Sequence, residues 1–297
     1  MPIAWLFNVE TSTDTAPRIS GQLLSLSSET LVLRNPWATD SISMGKLYTA
    51  AIITTMIFTY PYLNETDANY DLEGAYLFAG LLISAPFMFA PFLVYRVYLI
   101  RNFSSIYFNR VTRRIYYRKL QTTFTLDWSS VEGGLFQRTE FGGSSFTTSY
   151  ALAFSPRSED DSGNRKDCLW VDSNEPNDPS VKHVAEVWEY LRHFMDHGPE
   201  TLPVPTEPNW WHRPIHQVAL PPAEAWRHYA PWRTGEAGEM QGKRYWQLPF
   251  WAILFPYNLT VALCWYYLCQ LFSIREAPAP AGAFVKAPCQ TSEEDDQ

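Results

Sequence analysis

The sequence predicts an α+β chain: transmembrane helices framing one β-rich soluble block that a single amphipathic helix closes. Three observations predict it. Residues 47–64, 74–95 and 245–274 are apolar runs without one Asp, Glu, Lys or Arg, in a chain that is 18% charged. Residues 105–171 hold short β-branched and aromatic runs separated by turn residues, a strand signal. Residues 178–198 then place apolar side chains three and four apart, a helix signal.

A bilayer core needs about 20 apolar residues as helix. One Asp, Lys or Arg at mid-span costs roughly 2.5–3.5 kcal/mol on insertion scales. The three charge-free runs therefore read as spans. Tyr60, Tyr62, Tyr95, Tyr98, Tyr245, Trp246 and Trp251 lie near their edges, where amphipathic rings settle at headgroup depth. Pro61, Pro86, Pro91 and Pro256 interrupt the runs, which membrane helices tolerate when neighbours satisfy the freed carbonyl. Ionisable residues inside a span mark transport or proton relay. These runs hold none, so the spans read as anchors and a channel or pump is disfavoured. Residues 1–10 lack a basic region before a short apolar stretch, so the first span reads as an uncleaved signal anchor. Four cysteines without a C-x-x-C fit reduced thiols, not a disulfide framework or a zinc site.

Charge asymmetry suggests an orientation. The connection at 64–73 holds Glu65, Asp67, Asp71 and Glu73 without a cation, whereas Arg96, Arg101, Arg110, Arg113, Arg114, Arg118 and Lys119 follow the second run. By the positive-inside tendency, the acidic connection faces outward and the central block is cytoplasmic. With three spans, the acidic tail from Arg275 is expected on the side opposite the block.

Within the block, 106–108 and 115–117 suggest a hairpin, 122–127 alternates with Phe124 and Leu126 on one face, and 131–138, 146–154 and 168–171 read as further strands. A turn is expected at 142–145. Residues 22–33 look like another hairpin that adds strands to the same domain. For the helix, Asp178 is the expected N-cap with Pro179 at N1, Val184, Val187, Trp188 and Leu191 form its apolar face, and Gly198-Pro199 ends it. Antiparallel strands followed by one amphipathic helix describe a PH-like split β-barrel, its open end closed by the Trp188 face.

The stretches IYFNRVTRRIYY (106–117), LDWSSVEGGL (126–135) and VWEYLRHFMDHGPETLP (187–203) resemble an uncharacterised family of bacterial inner-membrane proteins. The likeness covers roughly residues 40–275. It implies two spans, a PH-like cytoplasmic domain and a further hydrophobic segment. Members of that family are often encoded beside type VI secretion effectors and spike proteins. The resemblance therefore implies an immunity or accessory role in toxin delivery. It carries over no catalytic residue.

The domains expected are an N-terminal cytoplasmic segment (1–46), a two-helix transmembrane hairpin (47–100), the PH-like domain (101–198), a Pro/Trp-rich strap (199–247), a third transmembrane helix (248–274) and an acidic tail (275–297). Prolines exclude one long helix from the strap, apart from a short one at 222–229, and its tryptophans argue against a plain disordered linker. Trp and Tyr in a partly rigid loop suit partner binding. The candidate partner-binding residues are therefore Trp210, Trp211 and Trp226, with Glu159, Asp160 and Asp161 added for a basic partner.

Enzymatic signals are weak. His193 and His197, like His212 and His216, are four apart, but the metalloprotease glutamate is missing after the first histidine of the former pair, and no metal site is expected. Gly235, Gly238 and Gly242 follow no strand, so a phosphate loop is not expected, and no G-x-S-x-G elbow occurs. Arg110, Arg113, Arg114, Arg118 and Lys119 fit topology enforcement or contact with anionic membrane lipids, worth about 1 kcal/mol per residue near the surface. A net charge of −8 disfavours nucleic acid. The expectation is a non-enzymatic, membrane-anchored binding protein without a cofactor. Its partner is a cognate effector toxin, the alternative being a lipid-reading adaptor, and the sequence leaves oligomeric state open.

Overall fold

A computed structural model of the chain describes residues 3–64, 72–141, 146–157, 168–175, 178, 180–205 and 210–284. The architecture is mixed α+β, with two antiparallel sheets, and the chain forms two compact units. One comprises residues 1–35, 105–206 and 278–297; the other comprises 36–104 and 207–277.

The first unit holds nine strands among the described residues. β1 (Ile3–Asn8), β2 (Leu23–Leu26) and β3 (Thr30–Leu33) precede the long helices. After them come β4 (Ile106–Asn109), β5 (Arg114–Lys119), β6 (Thr122–Asp127), β7 (Val131–Phe141), β8 (Phe146–Pro156) and β9 (Leu169–Asp172). One sheet runs β2-β3-β4-β5-β6, the other β1-β7-β8-β9. The expected 22–33 hairpin is β2–β3, and it joins the block by pairing β3 with β4, Leu31 opposite Phe108 and Leu33 opposite Ile106. Both expected longer strands are present as β7 and β8, paired from Val131↔Pro156 to Phe141↔Phe146. The turn expected at 142–145 lies outside the described residues. No closed barrel forms among the described residues: the two sheets are separate.

Helix α3 (Val181–His197) follows. Its N-cap is Ser180, not Asp178: the Ser180 hydroxyl accepts from the Lys182 N–H, while Asp178 bonds His183 at 3.1 Å. A hydroxyl in extended backbone meets the first free amides directly. Gly198 ends the helix at φ 91, in the region that favours glycine. Trp188 is fully buried and lies against Phe7, Trp128 and Phe154 with ring centroids 5.6–6.0 Å apart. A Cβ at Gly133 on β7 would come within 2.7 Å of that indole, so only glycine lets the strand approach it.

Residues 278–284 of the tail pack within this unit, which corrects the expectation that the tail faces away from the block. Asn109 is fully buried, and its amide donates to the Ala283 carbonyl at 3.1 Å. The Thr30 hydroxyl donates to the same oxygen at 3.4 Å. Ala283 packs with Val32, Tyr107 and Tyr116, and Phe284 meets Tyr107 edge-on at 5.3 Å.

The second unit is built on α1 (Pro36–Asn64), α2 (Leu72–Asn102) and α7 (Leu248–Leu271). All three are long and apolar enough to cross a membrane. α1 begins at Pro36, about three turns before the expected Leu47, and so carries Asp40 and Lys46. α7 lies antiparallel to α1: the Tyr257 and Thr54 hydroxyls are 3.0 Å apart, and Ile42 packs with Trp265 and Cys269. Between α3 and α7 the chain forms α4 (Arg213–His216), α5 (Pro222–Tyr229) and α6 (Glu239–Gly242), the first and last a single turn each.

Candidate functional site

The most organised polar constellation lies in residues 210–243, the stretch expected to be a strap. Pro222 opens α5 at its first turn, where a missing N–H costs nothing. The short helix presents His228 inward, and His228 stacks on the buried Trp210 ring at 4.4 Å. The Trp210 indole N–H donates to Glu236 at 3.1 Å, and the same carboxylate meets the His228 Nδ1 at 3.2 Å. Arg213 lies 3.3 Å from Glu236 and 3.3 Å from Glu224. The far side of Trp210 lies so close to Gly242 that any side chain there would collide with the ring.

A second buried pair sits beside it. The Lys243 ammonium donates to Glu239 at 2.7 Å, to the Arg227 carbonyl at 3.0 Å and to the Trp232 carbonyl at 3.2 Å. Glu239 also accepts from the Thr234 N–H at 2.9 Å and the Gly235 N–H at 2.8 Å. Its turn depends on Gly235 and Gly238, at φ 83 and 73. Burying a charge pair is favourable only when the remaining donors and acceptors are satisfied. Here the surrounding carbonyls and amides satisfy them, so the network fixes an irregular backbone that has little apolar core of its own.

This rigid base presents aromatic surface. Trp211 is 45% exposed and rests on Trp251 at 5.4 Å; Trp226 is 47% exposed and meets Phe255 edge-on at 4.9 Å. Trp232 is exposed beside Trp226. Of the expected partner-binding residues, Trp211 and Trp226 are thus surface groups, and Trp210 is the buried anchor. Glu159, Asp160 and Asp161 lie outside the described residues.

The basic run is largely engaged within its own unit. Arg113 donates to the Met195 carbonyl at 2.6 Å and pairs with Asp196 at 3.0 Å, at the C-terminal end of α3 where a cation complements the helix dipole. Arg110 lies beside Gly198 at the same end and donates to the Ser28 carbonyl at 3.5 Å. Arg114 pairs with Asp127 at 2.8 Å, Arg118 donates to the Leu120 carbonyl at 3.1 Å, and Lys119 is exposed.

Elsewhere, His193 and His197 stack at 4.7 Å. Burial, with the His197 and Arg192 charges, lowers the His193 pKa. Glu175, Asp178 and His183 bring ligand-type atoms within 4.8 Å of one another, though both carboxylates are exposed. His183 is already bonded to Asp178 and, at 3.4 Å, to the buried Glu186, so the group reads as a brace for the start of α3. Burial raises the Tyr190 pKa, and its hydroxyl has no partner among the described residues.

Sequence reasoning missed His228, Glu236, Glu239 and Lys243. Glu239 and Lys243 at i and i+4 were a readable pair signal. Nothing local announces that Glu236 would meet Trp210, 26 positions earlier.

Comparison with the models of known protein families, with curated proteins and with solved structures finds no match for this chain.

Proposed function

We propose that this is a non-enzymatic, membrane-anchored binding protein whose tryptophan-bearing segment takes a protein partner. The observation that carries the reading is the pairing of exposed Trp211, Trp226 and Trp232 with a base fixed by the buried Glu239–Lys243 ion pair and the hydrogen bonds to Glu236. Aromatic anchors on a pre-ordered base bind with little loss of side-chain freedom. Three helices apolar enough to cross a membrane supply the anchor. The family resemblance narrows the partner to an effector toxin of type VI secretion, neutralised by occlusion, and the address to a bacterial inner membrane with the β-rich unit cytoplasmic.

The test is co-expression of the toxin encoded beside this protein, with the wild-type chain and with a Trp211→Ala/Trp226→Ala double variant. Protection by the wild type and loss of protection by the variant, at equal abundance in the membrane fraction, is the expected result. Equal killing with and without the wild-type chain removes the immunity reading. The lipid-reading alternative depends on free cations, and Arg110, Arg113, Arg114 and Arg118 are engaged in internal contacts.

A further inference from the structure

The three long helices of the second unit leave a groove of about 730 Å³ between them. α1 lines it with Thr49, Ile52 and Ile53, α2 with Leu93, and α7 with Leu268 and Leu271. All six positions lie in the segments apolar enough to cross a membrane. Side chains on the wall of an empty groove forfeit contacts on one side, so within a bilayer the groove takes in something apolar. The choice there is a lipid chain or another helix. Helices approach one another through small residues, and this wall is small only at Thr49 and Cys264. Its Ile and Leu side chains suit a mobile hydrocarbon chain better.

Beyond the groove the bundle carries cations that no carboxylate answers. Leu93 and Arg96 are three apart, on one face of α2. Arg101 sits in the last turn of α2, and Arg275 follows the end of α7. Ile274 packs in one cluster with Ile100, and Leu93 and Val97 pack against that cluster. The ends of α2 and α7 therefore converge, and the three arginines gather at one end of the bundle. Arg96 is half-buried over the Tyr95 ring, and Arg101 and Arg275 are exposed. None of the three pairs with a carboxylate among the described residues, while Asp40 and Glu276 engage other groups. Lys46 is bonded to the Pro214 and Gln217 carbonyls. The contrast is with Arg110, Arg113, Arg114 and Arg118, whose donors are satisfied within the β-rich unit.

We infer that the groove binds one acyl chain of an anionic phospholipid, whose phosphate is held by Arg96, Arg101 and Arg275. This rests on the membrane-anchored reading above. Basic groups between membrane helices attract such heads. From Cys264 to Leu271 is about 10 Å of helix, a third of a hydrocarbon core about 30 Å thick. That length seats the upper part of a chain, the part next to its head. Bound there, the lipid fills the space between α7 and the α1–α2 pair.

The purified full-length chain, in mild detergent, is given equal amounts of phosphatidylglycerol and phosphatidylcholine with the same acyl chains and weighed by native mass spectrometry. The expected result is one phosphatidylglycerol per chain, preferred over phosphatidylcholine on the order of tenfold. An Arg96→Gln/Arg101→Gln/Arg275→Gln variant with unchanged thermal unfolding loses that preference. Leu268→Trp, which fills the groove, loses the bound lipid. Equal binding of the two lipids by the wild type overturns the inference, as does a preference that survives the triple substitution or a lipid that Leu268→Trp retains. Displacement by excess glycerol 3-phosphate, a head without a chain, also overturns it. A lipid-free dimer does the same, since a second copy is then the occupant. Failure of the anchor itself reads differently: the chain then stays soluble once detergent is removed.

Discussion

Two tryptophans, Trp188 in the first unit and Trp210 in the second, are held by different physics. Both are fully buried, and both lie against a glycine that admits the ring, Gly133 and Gly242. Trp188 is surrounded by Phe7, Trp128 and Phe154 in a large apolar core, and its indole N–H has no partner among the described residues. Trp210 lies between an imidazole and a backbone, with its N–H on Glu236 and the Lys243 ammonium 5.4 Å from its ring centre. The difference teaches where each kind of core is affordable. A continuous core of Leu, Ile, Val and Phe gains enough from burial, about 25 cal/mol per Å² of apolar surface, to carry an unbonded indole N–H. A Pro-rich stretch of some 35 residues has too little such surface, so it must satisfy nearly every buried polar group.

Substitutions separate the two designs. Truncating the apolar core has the largest effect: Trp188→Ala is expected to cost about 3–5 kcal/mol, read as loss of cooperative urea unfolding of the β-rich unit. Glu239→Ala strands the Lys243 ammonium among carbonyls and costs about 3 kcal/mol; limited proteolysis then cuts within 207–247 while β7 and β8 stay protected. Replacing each indole by phenyl sharpens the contrast. Trp210→Phe takes from Glu236 one of its three partners and costs about 1–3 kcal/mol beyond the lost volume, whereas Trp188→Phe loses no hydrogen bond and only the volume. Equal losses would break the comparison.

The apolar core carries a pH dependence of its own. Burial holds the Tyr190 pKa above its ordinary value, so the unfolded chain releases that proton first. Its contribution to stability is full below about pH 10 and is lost as pH rises through the raised folded value. Urea midpoints measured from pH 8 upward should therefore fall more steeply for the wild type than for Tyr190→Phe. The smallest structural effect is expected at the surface. Trp211→Ala and Trp226→Ala should each change stability by no more than about 0.5 kcal/mol, while co-purification of the proposed toxin partner is lost.

The elements were largely legible because their signals are local. The alternation at 122–127, the hairpin spacing at 106–117 and the three-four steps of α3 each depend on neighbours within a turn or two. The α3 cap was misplaced by two residues because Asp178 and Ser180 both fit the N-cap pattern, and His183 drew the aspartate away. The start of α1 was missed because Lys46 looked like the end of a hydrophobic run. Its amino group is tolerated inside the helix because two carbonyls far along the chain accept its hydrogen bonds.

Residue order alone settles what lies within reach of one or two turns: three helices greasy enough for lipid, a run of strands, one amphipathic helix and the pairs it can form on its own surface. Tertiary structure decides which distant partner answers each unsatisfied group. Asn109 waits 174 residues for the Ala283 carbonyl, and Trp210 waits for Glu236 across a loop of prolines. Such bonds are enforced by desolvation, since a buried donor without an acceptor is costly wherever its acceptor lies in the chain. For that reason the place of Ala283 against β3, β4 and β5 is written in packing, not in the count of apolar runs.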